Sequence, residues 1–351
     1  MAMSGGVDSS IAAMLLHDQG YEVIGYTLKT WDYGTSCNKE TGCCSLDSIV
    51  DAKQMALKLG LCHSVLDVKE EFNKLVIDDF INEYLSGRTP NPCVICNVYI
   101  KWGLLLKKAD ELNCQYISTG HYARVREENG RYVLYKGIDE LKDQSYVLWG
   151  LTQDFLKRTI FPLGNLHKRE IKKIAAKEGF DNLSKKKESY EICFIPGDDY
   201  RLFLNNKIDG LSEKFKGGNF ITTDGKILGK HKGYPFYTIG QRKGLNIAIG
   251  EPLYVLEIKP ESNTIVLGKK EELKRSCMNV GKINSIKYAE IPENIDIVTK
   301  IRYKDIGMKS KLSKVNDIVK VIFDEEVNAI APGQSAVFYE NDDVVGGGII
   351  L

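Results

Sequence analysis

Two short stretches and one isolated thiol carry the side chains of this 351-residue chain that could do chemistry. The first, SGGVDSS at residues 4–10, places two glycines, three serines and Asp8 directly before the helical run Ile11, Ala12, Met14, Leu15. A loop that enters a helix in this way lets backbone N–H groups, hydroxyls and the helix dipole converge on a phosphate. It is not the Walker pattern, because no Gly-Lys-Ser/Thr follows, and it is not the dinucleotide fingerprint. The plainer alternative is a tight turn in which Ser4 or Asp8 caps the helix.

The second stretch is SGRTPNPCVICNVYIKWG, in which Pro90 and Pro92 fix an irregular loop and Cys96 is expected just before a helix. A thiol at a helix N-terminus has a lowered pKa and is the better nucleophile. The isolated thiol, Cys193 in YEICFIPG, lies far along the chain in an apolar, strand-like segment. Four readings compete for Cys93 and Cys96. As a zinc half-site they lack a second pair of ligands, and as a thioredoxin-type pair they have the wrong flanks. With Cys193 they could ligate an iron–sulfur cluster, a [4Fe-4S] centre with one iron open, or one of them could be a sulfur-transfer nucleophile. Cys62, Cys114 and Cys277 read as inert, and Cys37, Cys43 and Cys44 as part of a mobile loop.

These groups need a frame. Up to about residue 135, strand-like runs such as YEVIGYTL and CHSVLDV alternate with helical stripes (Ile49, Ala52, Met55, Ala56, Leu59), which predicts a parallel sheet covered by helices. Only three residues precede Ser4, so the strand expected before the glycine loop is either very short or lost with the chain start. KREIKKIAAKEGF reads as an amphipathic helix ending at Gly179. Beyond about 205, short alternating runs between glycines predict antiparallel β structure, first a small domain and then a barrel. The expected division is 1–203, 204–272 and 273–351. His121 follows Thr119-Gly120 at the carboxyl end of a sheet strand, where α/β folds bind ligands, although a lone histidine is more often structural.

Lys+Arg 48 against Asp+Glu 47 exerts no global pull on a polyanion, so any such site must be a local cluster. Residues 225–250 supply one: Lys226, Lys230, Lys232, Arg242 and Lys243 with no acid, interleaved with Tyr234, Phe236 and Tyr237 for phosphate contacts and possible stacking. A solvated hairpin with its aromatics in a core is the competing reading. The basic run at 185–188 is a weaker candidate. Nine cysteines at irregular spacing favour a reducing cytoplasm, and no run approaches a membrane span.

SGGVDSS resembles the PP-loop of the ATP pyrophosphatases, which cleave ATP between its α- and β-phosphates. The series SGGVDSS, RTPNPxxxCN, TGHYAR, KDQSY, the ICF segment, YTIGQRKGL and APGQSAVFY resembles, in order and over the whole chain, the tRNA-specific 2-thiouridylases. The resemblance implies ATP and Mg2+ at Ala2, Met3, Ser4, Gly5, Gly6, Val7, Asp8 and Ser9, adenine against Leu28, and Gly120 lining the pocket. It implies Cys96 as nucleophile and Cys193 as persulfide carrier, charged by a cysteine desulfurase or a relay protein. It places Lys142, Asp143, Gln144, His121, Arg302, Tyr303 and Gln334 on tRNA, with Asn91, Pro92 and Cys93 at the target base. The chain departs from the family pattern at Leu28, where many relatives have methionine, and at Cys93, where many have aspartate. The second departure keeps the three-cysteine cluster in view.

Overall fold

The computed structural model describes residues 1–31, 46–180, 192–195, 197, 199–247, 250–293 and 295–351. The cysteines at 37, 43 and 44 and the basic run at 185–188 lie outside the described residues.

The N-terminal region is built on parallel strands. Ile24–Lys29 pairs with Cys62–Asp67, and Ile117–Ser118 pairs with Thr159–Ile160. The residues ahead of the glycine loop join these pairs: Ala2 N donates to Ser118 O and Met3 N to Tyr26 O, both at 2.8 Å. A strand position of three residues is therefore enough to aim the loop at the carboxyl ends of the sheet. Helices Val7–Asp18, Leu46–Lys58 and Lys168–Lys177 share one core. There Ala12, Ala13, Ala52, Ala56 and Ala175 are all fully buried and let the helices approach closely.

A second core ties the first region to the middle one. Phe194 stacks edge-on to Phe72 and Phe80 at centroid distances of 5.7 and 5.3 Å, and Phe203 lies 5.3 Å from Phe194. The cluster continues into Tyr234 and Phe236 of a 3-10 turn and into Phe220 and Val255 of a four-stranded sheet ordered 227–230, 219–221, 264–268, 254–259. In the C-terminal region six antiparallel strands close on themselves, Lys274–Ser285 pairing with both Ile318–Asn328 and Asp343–Ile350. Closure removes the sheet edges around a core of Val280, Leu312, Val321 and Phe338.

The barrel is not a loose appendage. The hairpin Ala123–Glu128/Arg131–Lys136 of the N-terminal region continues the barrel sheet through Tyr135 and Asp343. Arg126 grips the Asp343 carboxylate with two bonds of 2.7 and 2.9 Å, and Lys287 adds a third contact at 2.8 Å. Among the described residues, no helix is long and apolar enough to cross a membrane.

Candidate active site

The glycine loop is a cradle. Gly5 has φ +68°, a left-handed conformation, and a Cβ there would run into the Ser48 carbonyl. Gly6 is the N-cap of Val7–Asp18 and offers no side chain, so neither Ser4 nor Asp8 caps the helix. The first N–H groups of the helix therefore have no intrahelical acceptor and remain available to an anion. Ser9 Oγ lies 3.2 Å from Ser4 Oγ, accepts from Ser4 N and donates to Gly6 O, which fixes the loop from within. Gly120 closes the other side: a Cβ on it would sit 2.9 Å from Ser9 N. Leu28 is half-buried near the carboxyl end of its strand. The glycine conformations, the unsatisfied helix amides and the paired hydroxyls fit a polyphosphate. Asp8 carries the kind of hard carboxylate oxygen that Mg2+ prefers.

Asp8 is not alone. Its carboxylate accepts from Tyr122 Oη at 2.6 Å and from Lys168 Nζ at 2.7 Å on each oxygen. Neither partner stood out in the sequence. One signal for Lys168 was present: it is the first residue of its helix, where a cation opposes the helix dipole.

The cysteine region differs from expectation. Pro92 occupies the first helical position and starts the helix at 92, because its fixed φ suits that place. Cys93, exposed, thus lies in the first turn, and Cys96, partly buried, lies one turn inside rather than at the end. From Cys96 to Leu104 the helix widens to π-helical pairing, a form that recurs at functional sites. Cys96 packs against the core cluster that holds Phe194 and Ile195, the two residues after the exposed Cys193. Distant in sequence, the two cysteines flank one core. Among the described residues no group of three or more His, Cys, Asp or Glu is placed to hold a metal. The geometry therefore does not favour the cluster on Cys93, Cys96 and Cys193.

The loop before the helix is clamped by the barrel. Thr89 N donates to Pro332 O at 2.8 Å, and Gln334 Nε2 donates to Thr89 O and Pro90 O at 3.1 and 2.8 Å. Asn91 Nδ2 reaches Ser335 Oγ at 3.5 Å, and Ser335 is also held by Tyr146 and Trp149. Gln334 thus spends its amide on positioning this loop.

Several residues expected on a nucleic acid sit elsewhere. His121 is buried between Trp102 and Phe161, bonded to Thr119 Oγ1 at 2.7 Å, and burial holds its pKa well below 6.5. Asp143 is buried as well. It accepts from Gly137 N, Ser145 N and Ser145 Oγ, and burial raises its pKa. Gln144 Oε1 accepts from Tyr122 N, so it braces the residue that holds Asp8. Arg302 and Tyr303 are exposed, with the Tyr303 ring 6.1 Å from that of Tyr146, and Lys142 is half-buried. In the middle region Lys226, Lys230, Lys232, Arg242 and Lys243 are exposed. Tyr234, Phe236 and Tyr237 are buried and serve the core, not stacking.

A phosphate cradle on a parallel sheet, followed by a small β domain and a closed barrel, defines an adenine-nucleotide α/β enzyme with two β appendages. Comparison with known proteins agrees in each part. Residues 1–197 match the family model described as tRNA methyl transferase HUP domain, 206–269 the tRNA methyl transferase PRC-barrel domain, and 275–350 the aminomethyltransferase beta-barrel domain. Proteins named tRNA-specific 2-thiouridylase MnmA align over the entire chain. That of Amoebophilus asiaticus is 57% identical over 94% of its own length, and that of Cytophaga hutchinsonii 56% over 96%. That of Salinibacter ruber is 53% identical over 93% of its length. The chain belongs to the tRNA-specific 2-thiouridylase (MnmA) family.

Proposed function

We propose that the chain transfers sulfur to C2 of the wobble uridine of tRNAs for Lys, Glu and Gln, using ATP to activate the C2 oxygen. The observation that carries this reading is full-length identity of 53–57% to 2-thiouridylases, with the glycine cradle intact. The family models speak of methyl transfer, but a cradle for polyphosphate and a pair of cysteines around one core suit adenylation and sulfur transfer.

The C2 carbonyl of uracil is a poor electrophile with a poor leaving group. Adenylation at oxygen corrects both, and the loop amides and Mg2+ on Asp8 would stabilise the departing pyrophosphate. A persulfide on Cys193 supplies the sulfur. Its terminal sulfur bonds to C2, and AMP leaves with the oxygen. The Cys96 thiolate then attacks the Cys193 sulfur, breaking the S–S bond and forming a Cys96–Cys193 disulfide that a thiol reductant reopens. In the other order Cys96 attacks first and releases hydrosulfide, which adds to C2. Both orders need the two sulfurs at bonding distance, which means loop movement if they start apart. Asn91 and Pro92 would receive the flipped base. Lys142, Arg302 and the five exposed cations of 226–243 would meet phosphates. The sulfur donor is a persulfide-bearing protein, and the reading places the work in the cytoplasm, where tRNA and thiols are.

The test is nucleoside analysis of tRNA incubated with ATP, Mg2+ and a persulfide donor. The expected product is 2-thiouridine, with one AMP and one pyrophosphate released per sulfur.

A further inference from the structure

Among the described residues, Lys168 is the cation bound to the acid of the phosphate cradle, and the reaction as described gives it no task. Its ammonium holds both Asp8 oxygens at 2.7 Å, its side chain is 9% exposed, and it lies 5.8 Å over the Tyr122 ring. Its own N–H is pinned to Asp139 Oδ2 at 2.8 Å, so the backbone of the residue is fixed while its four-carbon stem gives the ammonium reach.

An ammonium and Mg2+ cannot both occupy the same face of one carboxylate without strong repulsion at this depth. A buried ammonium also needs an anion at all times. We propose that Lys168 is a catalytic residue of a relay. It neutralises Asp8 while the cradle is empty, passes Asp8 to the magnesium of the incoming nucleotide, and moves its charge onto the β-phosphate side. In the group transfer the uracil O2 bonds to the α-phosphorus. The bond from that phosphorus to the bridging oxygen breaks, and pyrophosphate leaves with the bridging oxygen and its electron pair. Lys168 then compensates the charge that appears there. The alternative destination is Asp139, next to the helix start, in which case Lys168 does nothing for phosphate. This inference rests on the ATP reading above.

Two binding experiments on the full chain decide it, neither of which needs turnover. Calorimetric titration compares α,β-methylene-ATP with AMP, both with Mg2+. Lys168→Met should weaken the methylene analogue about 10- to 100-fold, the loss of one or two charge-assisted hydrogen bonds, and AMP less than about threefold. Lys168→Arg should recover most of the difference. Inorganic pyrophosphate without Mg2+ is then titrated into Asp8→Asn and Asp8→Asn/Lys168→Met, where the resting ion pair is already gone. The double variant should bind at least about tenfold more weakly. Equal losses for analogue and AMP, or identical pyrophosphate affinity in the last pair, would overturn the relay. Wild type that binds neither nucleotide would overturn the ATP reading itself.

Discussion

The glycine loop and the RTPN loop are both short, and they are held by opposite strategies. The first is fixed by its near neighbours: Ser4 and Ser9 bond across five residues, and Gly5 and Gly120 press against backbone within the same region. The second is fixed from the far end of the chain, by Gln334 across 245 residues to Thr89 and 244 to Pro90. A nucleotide common to a large class of enzymes can be met by a self-contained cradle. On the proposed reading, a particular base in a particular RNA would be met by a loop whose shape depends on the barrel being in place. On that reading nucleotide binding and base recognition should be separable by mutation.

The sharpest separation lies in the sulfurs. Cys96→Ser and Cys193→Ser should each reduce thiolation by about 10³-fold or more while leaving ATP binding within about twofold. Gly5→Ala strikes the other side: left-handed strain and the clash with the Ser48 carbonyl should abolish nucleotide binding and cost about 2–3 kcal/mol in thermal unfolding. Gln334→Ala removes two hydrogen bonds to the base loop and should weaken tRNA binding about 3- to 10-fold, with nucleotide affinity unchanged in the same titration. If Gln334→Ala harmed ATP binding as much as tRNA binding, the two loops would not be independent.

The smallest effect is a slope. Burial, reinforced by the charge of Lys101, holds the His121 pKa in the folded protein well below 6.5. The unfolded chain therefore takes up the proton first. The stability that neutral His121 contributes is present above pH 6.5 and is lost as pH falls below it, by at most about 1.4 kcal/mol per pH unit. Denaturant unfolding of wild type and His121→Gln between pH 7 and 5 should show a shallower fall in the variant, and equal slopes would place the histidine outside the core that surrounds it.

Local chemistry was legible in the sequence and distant pairing was not. SGGVDSS announced a phosphate loop because the glycines, the hydroxyls and the helix start are adjacent. The alternating runs beyond residue 205 announced the β domains for the same reason. Lys168 comes to Asp8 across 160 residues, and only its odd place at a helix start hinted at it. The aromatics at 234–237 share their stretch with exposed lysines, and spacing alone could not say that a turn sends them inward. His121 and Asp143 sit in motifs with functional neighbours, and only burial reveals them as supports. The strand ahead of the loop was expected to be very short or lost, and it is very short: Ala2 and Met3 are recognisable as a strand only from Tyr26 and Ser118 on either side.

The central claim is that one ATP-driven site moves sulfur from Cys193 to uridine with Cys96 completing the transfer. The most direct measurement is mass-spectrometric nucleoside analysis of tRNA treated with ATP, Mg2+ and a persulfide donor, using wild type and the two cysteine variants in parallel. The account predicts 2-thiouridine with wild type and none with either Cys96→Ser or Cys193→Ser. Sustained 2-thiouridine formation by either variant would contradict it.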